Sequence, residues 1–83
     1  MAKIIRVNGS IELLTSLSFE DLQKAVGGYI ERVKMPDGRV MYVNEDARLK
    51  DLPLNVEASQ WLGAPILGDV VVMTIEEEKV QNG

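Results

Sequence analysis

The sequence predicts a small α+β domain, an antiparallel or mixed sheet with two short helices, in the order β-β-α-β-β-α-β. Three observations carry this. Short runs rich in Ile, Val, Met and Tyr recur along the chain, and such residues favour a pleated, half-buried surface. Asn8-Gly9-Ser10 and Pro36-Asp37-Gly38 each sit between two of these runs as turn signals. Two further stretches open on Ser18 and Asn55 and close on Gly27-Gly28 and Gly63, the residue types that start and stop helices.

Lys3 to Asn8 reads as the first strand, and Ile11 to Leu14 returns beside it after the Asn8-Gly9-Ser10 turn. Ser18-Phe19-Glu20-Asp21 is a helix start, in which the Ser18 hydroxyl can accept from the Asp21 backbone and two acids suit the helix dipole. Phe19, Leu22, Ala25 and Val26 share one helical face. Tyr29 to Met35 and Arg39 to Asn44 form the clearest hairpin. A three-residue Pro36-Asp37-Gly38 loop pairs Val33 with Met41 and Glu31 with Val43. A two-residue Asp37-Gly38 loop would shift the register by one and turn the second strand over. Pro36 suits the first register. There the face with Tyr29, Glu31, Val33, Met35, Arg39, Met41 and Val43 is the better core face, and Ile30, Arg32, Lys34, Val40, Tyr42 and Asn44 lie on the other. Asn55 caps a second helix bearing Val56, Ala58, Trp61 and Leu62, and Gly63 and Pro65 end it. Asp69 to Ile75 is the strongest strand, and its apolar run suggests a central place covered on both faces. The reading gives one domain over residues 1–76 and a polar C-terminal tail over residues 77–83.

Composition narrows the chemistry. With 83 residues the chain buries only roughly 60–65% of its extended surface. It has no Cys and no His, so disulfides, thiolate or imidazole metal sites and His-based acid/base chemistry are excluded. Self-association is the expected source of extra stability. The apolar share of 46% suits a globular fold, and a cytoplasmic protein is expected, since no apolar run is long enough to span a membrane and the N-terminus does not read as a signal peptide. The net charge of −4 is concentrated late: residues 51–83 hold Lys79 alone against Asp51, Glu57, Asp69, Glu76, Glu77 and Glu78. That balance disfavours duplex nucleic acid, which calls for a basic patch, yet a small anion needs only two or three placed donors.

No catalytic or metal-binding constellation is visible, and no cofactor is implied. Arg32, Tyr42 and Asn44 on one sheet face, with Arg39 and Arg48 near by in sequence, offer charge pairing, stacking and amide hydrogen bonds to a nucleotide-like anion. The plain alternative is the exposed face of a half-buried hairpin. Trp61 is either core or interface, or a stacking platform for a base. Glu31, Glu57 and Asp69 are the carboxylates from which a hydrolase site could be assembled, though nothing in the sequence brings them together.

The block Val26-Gly27-Gly28-Tyr29-Ile30-Glu31, then Asp37-Gly38 and Met41-Tyr42-Val43-Asn44-Glu45, then Leu52-Pro53, Asn55, Ala58 and Gly68-Asp69-Val70-Val71-Val72, resembles a small uncharacterised domain family of phages and bacterial mobile elements. The resemblance covers nearly the whole chain and brings no catalytic residues. It implies a cytoplasmic setting in a bacterial host and membership among small phage proteins that counter host defence. Some of these sequester nucleotide immune signals, cyclic dinucleotides or cyclic ADP-ribose derivatives, in pockets of a homo-oligomer. The expectation is therefore a non-enzymatic binding protein with Arg32, Arg39, Tyr42, Asn44, Arg48 and Trp61 as ligand contacts. Two other expectations stand beside it: a protein–protein interaction module that inhibits a host enzyme through the acidic third of the chain, and a metal-dependent hydrolase.

Overall fold

Two hairpins and one late strand build the sheet. The computed structural model describes residues 1–82, with side chains through residue 80. The strands are β1 (Ala2–Ile5), β2 (Ile11–Leu14), β3 (Ile30–Lys34), β4 (Val40–Asn44) and β5 (Val70–Met73); the helices are α1 (Phe19–Val26), α2 (Val56–Leu62) and α3 (Ile75–Asn82). The spatial order is β2-β1-β5-β4-β3, with every pairing antiparallel. The last strand in sequence is thus the central one, and all four of its residues are buried.

The two hairpins use the same turn. In the second, the Met35 amide donates to Arg39 O (2.8 Å), the Gly38 amide to Met35 O (3.0 Å), and the Arg39 amide to the Asp37 side chain (3.0 Å). In the first, the Arg6 amide donates to Ser10 O (2.9 Å), the Gly9 amide to Arg6 O (3.0 Å), and the Ser10 amide to the Asn8 side chain (2.9 Å). Gly9 and Gly38 hold φ of 90° and 92°, a left-handed state that costs a Cβ-bearing residue energy. The three-residue loop fixes the register, with Glu31 opposite Val43 and Val33 opposite Met41, as the Pro36 argument expects.

The core lies on both sides of the sheet. On one side α1 packs over β3, β4 and β5, where Leu22, Ala25 and Val26 meet Ala2, Ile4, Val40, Tyr42, Val71 and Met73. On the other, Ala58 of α2 sits with Ile5, Met35, Met41, Val43, Val70 and Val72, and Trp61, Leu62 and Ile66 flank them. The expectation of a single core face in the second hairpin is therefore corrected. All five residues of β4 are buried, because α1 covers the face that carries Val40, Tyr42 and Asn44. Tyr29, placed on the core face by the sequence reading, is 65% exposed.

Caps hold the helices as the sequence suggests. The Ser18 hydroxyl accepts from the Asp21 amide (3.2 Å) and the Asn55 side chain from the Ala58 amide (3.0 Å). Asn55 does more than cap. It is fully buried, and its Nδ2 donates to Ile5 O and Gly68 O, both at 2.9 Å, so it pins α2 to β1 and to the entry of β5.

The C-terminal segment differs from the expected tail. Residues from Ile75 form α3, while Gly83, the end of that tail, lies outside the described residues. Thr74 and Glu77 make a reciprocal capping box: the Thr74 amide donates to Glu77 Oε1 (2.9 Å) and the Glu77 amide to Thr74 Oγ1 (3.1 Å). Ile75 packs against the α1-side core, and Glu78 reaches β3 and β4 through Arg32 and Tyr42.

Candidate functional site

The six predicted contacts fall into three groups. Arg32 and Tyr42 are directly opposite each other on β3 and β4, and Asn44 stands two residues on from Tyr42 on the same face. The structure gives all three internal partners. Arg32 donates through Nε and Nη2 to the two oxygens of Glu78 at 2.7 and 2.9 Å, and the Tyr42 hydroxyl also donates to Glu78. The guanidinium is half-exposed and the carboxylate largely buried. Asn44 donates to Val26 O at the end of α1 (3.0 Å) and accepts from the Asp46 amide (2.8 Å). A carboxylate of this chain thus occupies the seat that the sequence reading offers to an external anion.

The charges respond to that arrangement. The Arg32 guanidinium, then the Tyr42 hydroxyl, hold the Glu78 carboxyl below the usual carboxylate range against the opposing effect of burial. Burial, followed by the hydrogen bond to Glu78, pushes the Tyr42 hydroxyl up to about 12. The trio is set as guanidinium, carboxylate and neutral phenol across the neutral range.

Arg39 and Trp61 make the second group. The Arg39 guanidinium stands 5.1 Å from the centroid of the Trp61 ring, within cation–π range. Arg39 also donates to Asp37 (2.8 Å), and the Trp61 indole N–H donates to Glu57 (3.1 Å). Trp61 packs against the α2-side core.

Arg48 belongs to neither group. It lines a cleft of about 320 Å³ on the α2 side of the sheet. Val33 and Val43 contribute to its lining from the strands, Ala47, Arg48 and Leu49 from one loop, and Pro65, Ile66 and Leu67 from another. Glu31 and Glu45 line it too, as does Asn44, the other predicted contact at this cleft. Among the described residues Arg48, Glu31 and Glu45 enter no ion pair, whereas Arg6, Arg32 and Arg39 are all paired. Hydrogen bonds fix both walls. Asn44 to Leu52 is a run of closed turns, with Ala47 N donating to Asn44 O (3.2 Å), Lys50 N to Asp46 O (2.9 Å) and Leu52 N to Ala47 O (3.0 Å). Opposite, Asn55 N donates to Ile66 O (2.8 Å), Ile66 N to Ser59 Oγ (2.9 Å), and Leu54 bridges to Leu67.

The carboxylates weighed as a hydrolase set are engaged separately. Asp69 accepts from Arg6 (3.0 Å) and from the Val7 amide (2.8 Å), Glu57 accepts from Trp61, and Glu31 lines the cleft. Among the described residues no group of three or more Asp or Glu side chains converges as a metal site would need, and no helix is long and apolar enough to cross a membrane. The sequence reading names Arg48 but not the cleft, whose walls come from segments nearly twenty residues apart; the adjoining turn signals at Asn44-Glu45-Asp46 and Gly63-Ala64-Pro65 are its only local marks.

One family model matches, over residues 2–82: a domain of unknown function, DUF3846. No curated protein and no solved structure matches the chain.

Proposed function

The chain belongs to the DUF3846 family of domains of unknown function, and on that premise we propose that it is a non-catalytic binding protein for a nucleotide-type signal, seated in the cleft beside Arg48. The observation that carries this is the contrast in commitment: Arg32 and Arg39 are held by the chain's own carboxylates, and Arg48 lines a preformed concavity with no such partner among the described residues. Binding sites for small molecules combine an apolar lining with a few placed polar groups, in volumes of roughly 300–1,000 Å³. The cleft's volume suits one nucleotide unit. Val33, Val43 and Ile66 provide apolar contact for a base, Arg48 a cation for phosphate, and Glu31 and Glu45 acceptors for the N–H donors of a base edge.

The same charges set a preference. Two carboxylates beside one guanidinium repel a nucleoside di- or triphosphate, with its doubly charged terminal phosphate, more than a cyclic ligand with one charge per phosphate. Cyclic dinucleotides and cyclic ADP-ribose derivatives are the matching class of signal. Sequestration without turnover would lower the free signal in proportion to protein concentration, and the resemblance to proteins of phages and mobile elements supports counter-defence in a bacterial host as its setting.

Native mass spectrometry of the purified chain with a panel of cyclic dinucleotides, cyclic ADP-ribose derivatives, AMP, GMP and ATP tests this. The expected result is a mass gain equal to an intact cyclic dinucleotide or cyclic ADP-ribose derivative, recovered unchanged on denaturation, with ATP binding more weakly. Conversion to a product, or no mass gain from any nucleotide, would overturn the reading.

A further inference from the structure

The two edges of the sheet are unlike, although their hairpins share one turn. At one edge β3 presents Glu31, Arg32 and Lys34, and an edge strand with alternating charges resists pairing with another chain. At the other edge β2 reads Ile-Glu-Leu-Leu. It has no proline and no lysine, and its one charge, Glu12, is held by Arg6 at 2.8 Å. Ile11 and Leu13 lie opposite Ile5 and Lys3 and so share the α2 side of the sheet. They are 47% and 62% exposed.

We propose that β2 is the homodimerisation edge, pairing antiparallel with β2 of a second copy to join two five-stranded sheets into one. Residues that face each other across an antiparallel pair lie on the same side of the sheet. The register centred on Glu12 meets that condition: it sets Ile11 against Leu13 of the partner subunit and Leu13 against Ile11 of the partner subunit. The four exposed apolar side chains then form one cluster on the α2 side of the joined sheet. Each Glu12 keeps its own Arg6, which softens the approach of the two carboxylates at the two-fold axis.

A second copy is the occupant that this edge fits, because the strand complements itself in both hydrogen bonding and apolar pattern. The chain has no disulfide or imidazole metal clip to supplement a small core, so covering this edge adds burial where the fold is short of it. A four-residue pairing falls short of the ~800 Å² per partner of a standard stable interface. The dimer is therefore expected to be concentration-dependent, forming and parting within a measurement.

Sedimentation velocity over a micromolar to near-millimolar series, with amide exchange at both ends of the series, reads this directly. The expected result is a dimer that grows with concentration and slows exchange at Ile11–Leu14 but not at Ile30–Lys34. Leu13→Lys and, separately, Ile11→Lys are expected to give a folded monomer, and Lys34→Ala to leave the dimer in place. A monomer throughout, a dimer that survives both lysine variants, or concentration-dependent protection at β3 instead of β2 would overturn the proposal.

Discussion

The two sides of this sheet treat their polar residues in opposite ways. On the α1 and α3 side, Arg32, Tyr42 and Asn44 are closed off by Glu78, Val26 and Asp46. On the α2 side, Arg48, Glu31 and Glu45 line a cleft without ion pairs among the described residues. Residue type alone therefore does not identify a site. A guanidinium beside a phenol looks like an anion seat, and here the chain's own carboxylate fills it. A guanidinium outside the chain's ion pairs, held at the edge of a rigid concavity, is the better candidate for an outside ligand.

The contrast between the sides is broken most severely through Asn55, which ties α2, and with it one wall of the cleft, to β1 and β5. Asn55→Ala removes a helix cap and two buried hydrogen bonds, to Ile5 O and Gly68 O. The expected loss is about 3 kcal/mol of unfolding free energy, measured by urea denaturation.

Opening the closed side is expected to have the next largest effect. Glu78→Gln keeps the shape and removes the charge, and α3 has only Ile75 as a described apolar anchor while Val80 lies exposed. The thermal midpoint is expected to fall by a few degrees and amide exchange along α3 to quicken, with ligand binding in the cleft unchanged.

The pH dependence sharpens the same contrast. Glu78 has a lower pKa folded than unfolded, so its contribution is present above the ordinary carboxylate range and is lost as pH falls through the depressed value. Tyr42 is raised from 10.0 to about 12, so its contribution is present below pH 10 and is lost as pH rises towards 12. Stability is expected to decline at both extremes. Tyr42→Phe should flatten the alkaline limb, as read from denaturation midpoints across pH.

The smallest expected effect on stability is at the open side. Arg48 is exposed, so Arg48→Ala should shift unfolding by no more than about 0.5 kcal/mol. Nucleotide affinity should fall roughly tenfold and lose part of its salt dependence, as a charge-assisted contact to phosphate would.

Much of the fold is legible in the chain. The Pro36-Asp37-Gly38 loop sets the register of the second hairpin, Ser18 and Asn55 cap their helices, and the apolar run at Val70–Met73 points to the centre of the sheet. Helix α3 carries a local signal too, the Thr74-Ile75-Glu76-Glu77 capping box, but the polarity of the residues after it makes the segment read as a tail. The closure of the Arg32 seat is not legible, since its carboxylate comes from 46 residues away on that helix. Tyr42 and Asn44 are readable as neighbours on one face, but their burial depends on α1 crossing that face, which periodicity does not specify. The cleft likewise needs two loops that meet only in the folded chain.

A titration of the isotope-labelled chain with a cyclic dinucleotide, cyclic di-GMP, followed by backbone amide NMR shifts, tests most directly which side receives a ligand. The account predicts saturable shifts confined to Val43–Leu49 and Ile66–Leu67, with Arg32 and Glu78 amides still. Shifts centred on Arg32, Tyr42 and Glu78, or none at any residue, would contradict it.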